Sequence, residues 1–256
     1  MTDGQIFEVL RDTVQTISES PYGRVFVVKG GAALICKMIE SWNESLIMKT
    51  TDIDLHCNSK EVWSRFLKDV RGILNSNRYG YAYTVEKVRS IEKGQLGLSD
   101  SIKIRVNTAV GECSIKIDMN LKSNRIITVE YSPILNMNTY DRYTLLADKI
   151  VAISSKSIYR RIKDVYDMYA LSIIGCYRSC DIIEHIDVKH GGKVLENMLV
   201  YENYEEISHA YRAFSGIVNK PGINEVLGVV SSFISPIYER KTQLEWNNQI
   251  GAWVDL

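Results

Sequence analysis

The sequence lacks three features that would narrow its function at once: a long apolar run, an excess of charge of one sign, and a pairing pattern of cysteines. No apolar stretch approaches the ~18 residues that indicate a membrane helix. The N-terminal stretch MTDGQIFEVLRD is acidic and amphipathic, which is unlike a secretory signal. The 31 basic and 31 acidic residues cancel, so any basic surface must be local. We therefore expect a globular protein with no membrane partner.

The five cysteines are scattered, odd in number and free of CxxC spacing. This usage predicts neither a disulfide framework nor a zinc site, and a reducing cytoplasm is the simplest compartment. Cys57 follows His56, but no second Cys or His pair has the spacing of a zinc site. A thiolate-bound metal is therefore not expected there.

Residues 1–138 alternate helical and strand patterns, whereas residues 139–256 are patterned mostly as helix. The sequence thus predicts an α+β fold with two domains that divide after residue 138. Helical spacing marks Gly4–Ser18 and Lys60–Ser76. The predicted strands, the last two of which form a hairpin, are Arg24–Lys29, Thr50–His56, Ala82–Val88, Ser101–Asn107 and Glu112–Met119. Residues 125–133 are a candidate further strand, and residues 192–200 belong to the helical patterning.

Asp52 and Asp54 lie two residues apart on the predicted strand Thr50–His56, so both side chains leave the same face of the sheet. Two ionised carboxylates this close repel each other unless a cation lies between them. Mg²⁺ prefers such oxygen ligands and leaves positions open for substrate phosphates, which suits phosphoryl or nucleotidyl transfer. The alternative is a polar strand face washed by solvent, because D-x-D sequences are common.

Gly30 and Gly31 stand between a predicted buried strand and a helix, upstream of the aspartates. Glycines allow close approach of the backbone to a ligand, and the N-terminus of a helix attracts phosphate. A plain tight turn is the alternative. Asp118 lies on a later strand, where it alternates with apolar residues and is placed to bring a third carboxylate to the pair. An exposed strand aspartate is the alternative for that residue.

Lys149 falls within the apolar stripe of a predicted helix, where its neighbours are Leu145, Leu146, Ala152 and Ile153. A lysine on a face that packs against the core needs an anionic partner. A nucleotide phosphate meets that need, and so does a buried salt bridge, which is the alternative.

These pieces, in this order, resemble the nucleotidyltransferases of the AbiEii/AbiGii toxin group, found in bacterial type IV toxin–antitoxin and phage-abortive systems. The stretches that carry the resemblance are VVKGGAAL, TDIDLH, KIDMN, LLADKIVAIS and RRIKDVYDMYAL. The resemblance implies a polymerase-β-like nucleotidyltransferase core, with a mixed sheet flanked by helices, over residues 1–138. It also implies that a helical domain, residues 139–256, completes the active-site cleft.

The resemblance assigns roles to individual residues. Gly30 and Gly31 would hold the nucleoside triphosphate, and Asp52 and Asp54 would bind Mg²⁺ (or Mn²⁺). Asp118 would be the third acid, either a metal ligand or the base on the incoming hydroxyl. Lys149 would contact the phosphates, and Asp164 would belong to the catalytic set.

Two observations qualify this resemblance. Asp164 and Asp167 lie opposite the apolar stripe of their predicted helix, a pattern that a solvated helix face also produces. Ala32 stands where the family usually has Ser or Thr, and Met48 stands where it commonly has Arg. These two differences from the family pattern would alter phosphate binding or the preference for a nucleotide base.

Three functions compete at this point. The first is an enzyme that moves a nucleotide from an NTP to an acceptor such as the 3′ end of a tRNA, acting as a toxin or in phage defence with a cognate antitoxin as partner. The second is nucleotidylation of a small molecule or a protein. The third is a non-catalytic nucleotide-binding module, which the presence of all three acids disfavours. Four basic residues near the second helix of the C-terminal half are either contacts for RNA phosphates or a solvated face: Lys156, Arg160, Arg161 and Lys163.

Overall fold

A computed structural model of the chain describes residues 1–89, 100–120, 128–191, 195–217 and 219–256. The chain divides into two compact units. The described residues of Met1–Cys36, Lys49–Asn124 and Val129–Tyr140 form unit 1. Those of Lys37–Met48, Arg125–Thr128 and Asp141–Leu256 form unit 2.

Unit 1 is built on a mixed seven-stranded sheet with the strand order β3-β4-β5-β2-β1-β7-β6. Strand β2 runs parallel to β5 and β1 runs parallel to β7, whereas the other neighbours are antiparallel. The strands are β1 Val27–Lys29, β2 Asp52–His56, β3 Ala82–Arg89, β4 Asp100–Thr108, β5 Gly111–Asn120, β6 Val129–Ser132 and β7 Met137–Tyr140. A mixed sheet with flanking helices confirms the predicted α+β class.

Alternating apolar residues explain why the central strands form and which way they face. In β4, Ile102, Ile104 and Val106 are fully buried while the intervening positions reach solvent, and β5 buries Ile115 and Ile117 in the same way. Strands β4 and β5 pair from Asp100 with Met119 to Thr108 with Gly111, so the predicted hairpin is confirmed. Of residues 125–133, β6 takes Val129–Ser132, and residues 125–127 lie outside the described part.

Helices α1 Asp3–Ser18, α2 Gly30–Glu40 and α3 Lys60–Asn75 accompany this sheet in the chain. Helix α3 begins after Ser59, whose side chain accepts a hydrogen bond from the Val62 amide. Its buried face recurs at helical spacing and consists of Trp63, Phe66, Val70 and Leu74.

The predicted strand Arg24–Lys29 is too long at its start. The backbone amides of Val25 and Phe26 donate to the carbonyl of Tyr22, so a turn replaces the first three residues of that strand. The Phe26 ring instead packs at 5.0 Å from the Phe66 ring, edge to face. Phe26 is therefore buried by packing against another ring and not by belonging to a strand.

In the described part of unit 2 the α-helices are α4 Arg142–Ile153, α5 Ile162–Ile174, α6 Ser179–His190, α7 Tyr204–Ala213 and α8 Ile223–Tyr238. It also contains a three-stranded sheet in the order β10-β9-β8, with β8 Tyr177–Arg178, β9 Leu244–Asn247 and β10 Ala252–Asp255. The sequence did not predict this sheet. Residues 195–200 are not helical, which corrects part of the predicted helix over residues 192–200, and residues 192–194 lie outside the described part. Among the described residues, no helix is long and apolar enough to cross a membrane.

Candidate active site

Four charged residues lie on one face where the adjacent strands β2 and β5 pair. The parallel pairing sets Asp52 opposite Lys116 and Asp54 opposite Asp118. Residues that pair in this way lie on neighbouring strands about 4.8 Å apart and project to the same side. The alternate residues of both strands, Ile53, Leu55, Ile117 and Met119, are fully buried on the other side. We call Asp52, Asp54, Lys116 and Asp118 the charged face.

Gly30 brings the start of helix α2 against the carboxylate of Asp54. Strand β1 pairs antiparallel with β2, so that Lys29 is the partner of Asp54, and α2 begins at the next residue, Gly30. Gly30 has φ +63°, and a Cβ atom there would lie 2.2 Å from Asp54 Oδ2. Both the backbone conformation and the close approach therefore require glycine at this position.

The start of α2 is suited to a phosphate. Its first turn, which the structure describes in full, carries no acidic residue. The first backbone amides of a helix lack partners within it and attract anions. Beside a carboxylate that is able to hold a metal, such amides are placed to receive the phosphates of a nucleotide.

Replacing Gly30 with alanine should lower the free energy of unfolding by about 1–3 kcal/mol, because a side chain is forced into the left-handed region and displaces Asp54. Urea denaturation measures the change. Gly72→Ala in α3 is the matched control, because nothing lies within 4 Å of the added Cβ. That variant should gain about 0.5–1 kcal/mol. Equal stability of the Gly30 variant and the wild type would contradict the described contact.

Asp118 has one engaged and one orphaned carboxylate oxygen. Lys116 Nζ donates to Asp118 Oδ2 at 2.7 Å. Asp118 Oδ1 is buried and has no hydrogen-bond partner among the described residues. A buried carboxylate oxygen without a partner is unfavourable, so the arrangement suits a cation or a donating hydroxyl at Oδ1.

Carboxylate oxygens are the ligands that Mg²⁺ prefers. Within the described residues, no three His, Cys, Asp or Glu side chains converge closely enough to hold a metal ion by themselves. Mg²⁺ is commonly bound by one or two carboxylates together with substrate phosphates and waters, and so does not need such a cage. The pairing of Asp54 with Asp118, and the orphaned Oδ1 of Asp118, therefore fit a metal that binds together with the nucleotide.

In unit 2, Lys149 lies between two carboxylates. Its Nζ donates to Asp164 Oδ1 at 2.7 Å and forms an ion pair with Asp167 Oδ2. Burial by itself lowers the pKa of Lys149, but the attraction of Asp167 and Asp164 outweighs it, so that the pKa is raised and the ammonium persists. Lys149 thus has an anionic partner within its own unit. Its predicted contact with nucleotide phosphates stays a prediction.

Asp167 is fully buried, which contradicts its interpretation as part of a solvated helix face. Asp164, at 16% side-chain exposure, is also mostly covered. Helix α5 is buried on nearly all sides, so one apolar stripe does not identify its inner face. Burial raises the pKa of Asp167, an effect that the charge of Lys149 opposes. No pattern in the sequence indicates that Asp167 is buried, and none singles out the contact between Lys116 and Asp118.

The pair His56–Cys57 has a structural explanation that involves no metal. His56 Nε2 lies 2.8 Å from Asn58 Oδ1, and His56 Nδ1 lies 3.2 Å from the Tyr140 hydroxyl. Both ring nitrogens are therefore engaged in hydrogen bonds. Burial raises the pKa of the Cys57 thiol, which disfavours the thiolate that zinc requires.

The mixed sheet and the charged face suit nucleotidyl transfer, and comparisons with known proteins give the family. The model of the nucleotidyl transferase AbiEii toxin family, of type IV toxin–antitoxin systems, matches residues 12–187. The chain therefore belongs to the AbiEii nucleotidyltransferase toxin family, and the predicted family is confirmed. No protein with a curated description matches the sequence.

Two crystal structures from Helicobacter pylori share the fold. JHP933 superposes with a TM-score of 0.56 at 13% identity, covering 93% of this chain and 92% of its own. An H. pylori protein described as a candidate nucleotidyltransferase superposes with a TM-score of 0.54 at 12% identity, covering 92% and 94%. At this identity the likeness concerns the fold alone. Membership of the family supports nucleotidyl transfer as the general activity.

Proposed function

We propose that this protein is a metal-dependent nucleotidyltransferase that moves a nucleotide from an NTP to a hydroxyl group of an acceptor. The observation that carries the proposal is the register of β2 and β5, which pairs Asp54 with Asp118 beside the glycine start of α2. Asp52 and Asp54 are the proposed metal ligands. Gly30 and Gly31 are proposed to receive the triphosphate.

In the proposed reaction, the acceptor oxygen forms a bond to the α-phosphorus of the NTP. The bond from that phosphorus to the oxygen bridging to the β-phosphate breaks, and pyrophosphate leaves. The acceptor hydroxyl loses its proton, and we propose that Asp118 Oδ1 accepts it, directly or through water. Mg²⁺, when bound, neutralises negative charge on the phosphates during this transfer. The chain contributes orientation, through Gly30 at the phosphates and Asp54 beside it.

The acceptor that we propose is RNA, with the 3′ end of a tRNA as the first candidate. Membership of a type IV toxin family supports growth arrest as the outcome, an antitoxin as partner and a role in phage defence. Exposed Lys156, Arg160 and Arg161 in unit 2 supply local positive charge suited to RNA phosphates. Lys149 and Asp164 keep their proposed roles at the phosphates and in catalysis on the strength of the family resemblance.

The proposal is tested by incubating the purified protein with each α-labelled NTP in turn, total RNA, and either Mg²⁺ or EDTA. We expect label on RNA with at least one NTP in Mg²⁺ and none in EDTA. Label on a protein or a small molecule instead of RNA would favour the alternative acceptors. No transfer to any acceptor, with toxicity unchanged in an Asp54→Ala variant, would favour a non-catalytic binding module.

A further inference from the structure

Lys116 lies among the three carboxylates of the charged face. Asp52 is its partner across β2 and β5, and Asp118 lies two residues further along the same strand. On the other side, the partner of Lys116 across β4 and β5 is Lys103. The ammonium of Lys103 lies 2.9 Å from Glu86 Oε2, whereas that of Lys116 lies 2.7 Å from Asp118 Oδ2. Lys103 and Lys116 thus form ion pairs with different carboxylates.

Stability of the fold does not account for the pair between Lys116 and Asp118. Lys116 is 49% exposed, and ion pairs at such positions contribute little to folding. The pair does have a defined geometric effect, because it occupies one oxygen of Asp118 and leaves the buried Oδ1 without a partner. A carboxylate held in this way has one oxygen fixed and the other left without a partner until a cation or a hydrogen-bond donor enters the site.

The charge of Lys116 also acts on any cation at this face. The carboxylates of the charged face attract a divalent ion, and the neighbouring ammonium of Lys116 offsets part of their negative charge. Lys116 therefore opposes binding of a metal that arrives alone. Triphosphate oxygens add negative charge of their own, so a metal that arrives with a nucleotide is opposed less.

We propose that Lys116 is a positioning residue that holds Asp118 by Oδ2 and leaves Oδ1 for the reaction, and that it does so at the expense of affinity for free metal. The inference rests on the proposed function, because it concerns the same carboxylates. It predicts an unusual pair of effects: removal of Lys116 tightens metal binding and slows turnover. A residue that merely supports the local structure would weaken both when removed.

The test uses Lys116→Met, Lys116→Arg and the matched control Lys103→Met in the full chain. Mn²⁺ binding without nucleotide is measured by calorimetric titration, and kcat and KM are measured with the labelled NTP. Lys116→Met should bind Mn²⁺ about tenfold more tightly, as expected from removing one positive charge near a divalent ion. Its kcat should fall about 10- to 100-fold with a smaller change in KM. Lys116→Arg should restore most of both properties, and Lys103→Met should leave both within about twofold.

Several results would overturn the inference. The first is a Lys116→Met variant that binds Mn²⁺ as tightly as the wild type or more weakly. The second is a Lys103→Met variant whose Mn²⁺ affinity and kcat change as much as those of Lys116→Met. The third is an absence of Mn²⁺ binding to both the wild type and Lys116→Met. Circular dichroism verifies that each variant is folded before titration. The titration needs no turnover, so it tests Lys116 separately from the activity. An inactive wild type whose Lys116→Met variant binds Mn²⁺ more tightly would refute the proposed function and support the electrostatic role of Lys116.

Discussion

Replacing Asp54 with asparagine should slow label transfer by about 10²- to 10³-fold, because one metal-binding carboxylate is lost where charge develops on the phosphates. The amide has nearly the same shape as the carboxylate, so the close contact with Gly30 is retained. The loss is therefore expected in kcat, with the fold intact. Initial rates with the preferred α-labelled NTP measure it.

Glu112→Gln is the control for this substitution. Glu112 lies on β5 of the same sheet, is about half exposed, and its ion pair with Arg105 is long, at 3.8 Å. The control removes the same amount of charge from the same sheet and should leave the rate within about twofold. Equal rates for Asp54→Asn and wild type would show that the charged face does not carry the reaction.

Replacing Lys149 with methionine should lower the free energy of unfolding by about 3–5 kcal/mol at neutral pH, because the buried carboxylate of Asp167 would lose its ion-pair partner. Asp164 would lose its 2.7 Å contact with Lys149 and keep the longer one, 3.7 Å, with Arg161. Methionine keeps most of the volume of the lysine stem, so the decrease in the free energy of unfolding is due to the lost charge and not to a cavity. Urea denaturation at pH 7 measures the difference. If the variant is as stable as the wild type, the ion-pair cluster has no role in stability.

The double variant Lys149→Met/Asp167→Asn should recover at least about 1 kcal/mol of that loss, since it removes the more deeply buried of the two charges.

The loss of stability in Lys149→Met should also depend on pH. Burial raises the folded-state pKa of Asp167 above the ordinary value of 3.8. For an acid with a raised folded pKa, the penalty is absent below the unfolded pKa and grows as the pH rises through the folded pKa. The deficit should therefore shrink as the pH falls from 7 towards 4, and a deficit that grows would contradict this assignment.

Local periodicity is the reason that much of unit 1 was predictable. Strict alternation in β2, β4 and β5 reports one buried sheet face, and it places Asp52, Asp54 and Asp118 on polar faces without any knowledge of the fold. The β4–β5 hairpin follows from the same pattern with a short turn. Which strands are neighbours is a long-range property, so the pairing of Asp54 with Asp118 required the structure.

Unit 2 was less predictable for two physical reasons. Strands β9 and β10 have four residues each, too few for a reliable period, and they are stabilised by aromatic packing such as Trp246 on Phe233. Helix α5 is buried on nearly all sides, so the apolar stripe that usually marks the inner face does not reveal that Asp167 is inside. Lys149 was recognisable as a lysine that needs an anion, but its partners lie on α5, 15 and 18 positions further along the chain.

The most direct test of nucleotidyl transfer at the charged face compares two labels in otherwise identical reactions, one with NTP labelled at the α-phosphate and one with NTP labelled at the γ-phosphate. Attack at the α-phosphorus places the α label on the acceptor and leaves the γ label in pyrophosphate, and both signals should disappear in Asp54→Asn. Appearance of the γ label on the acceptor, or α-label transfer that persists in Asp54→Asn, would contradict the account.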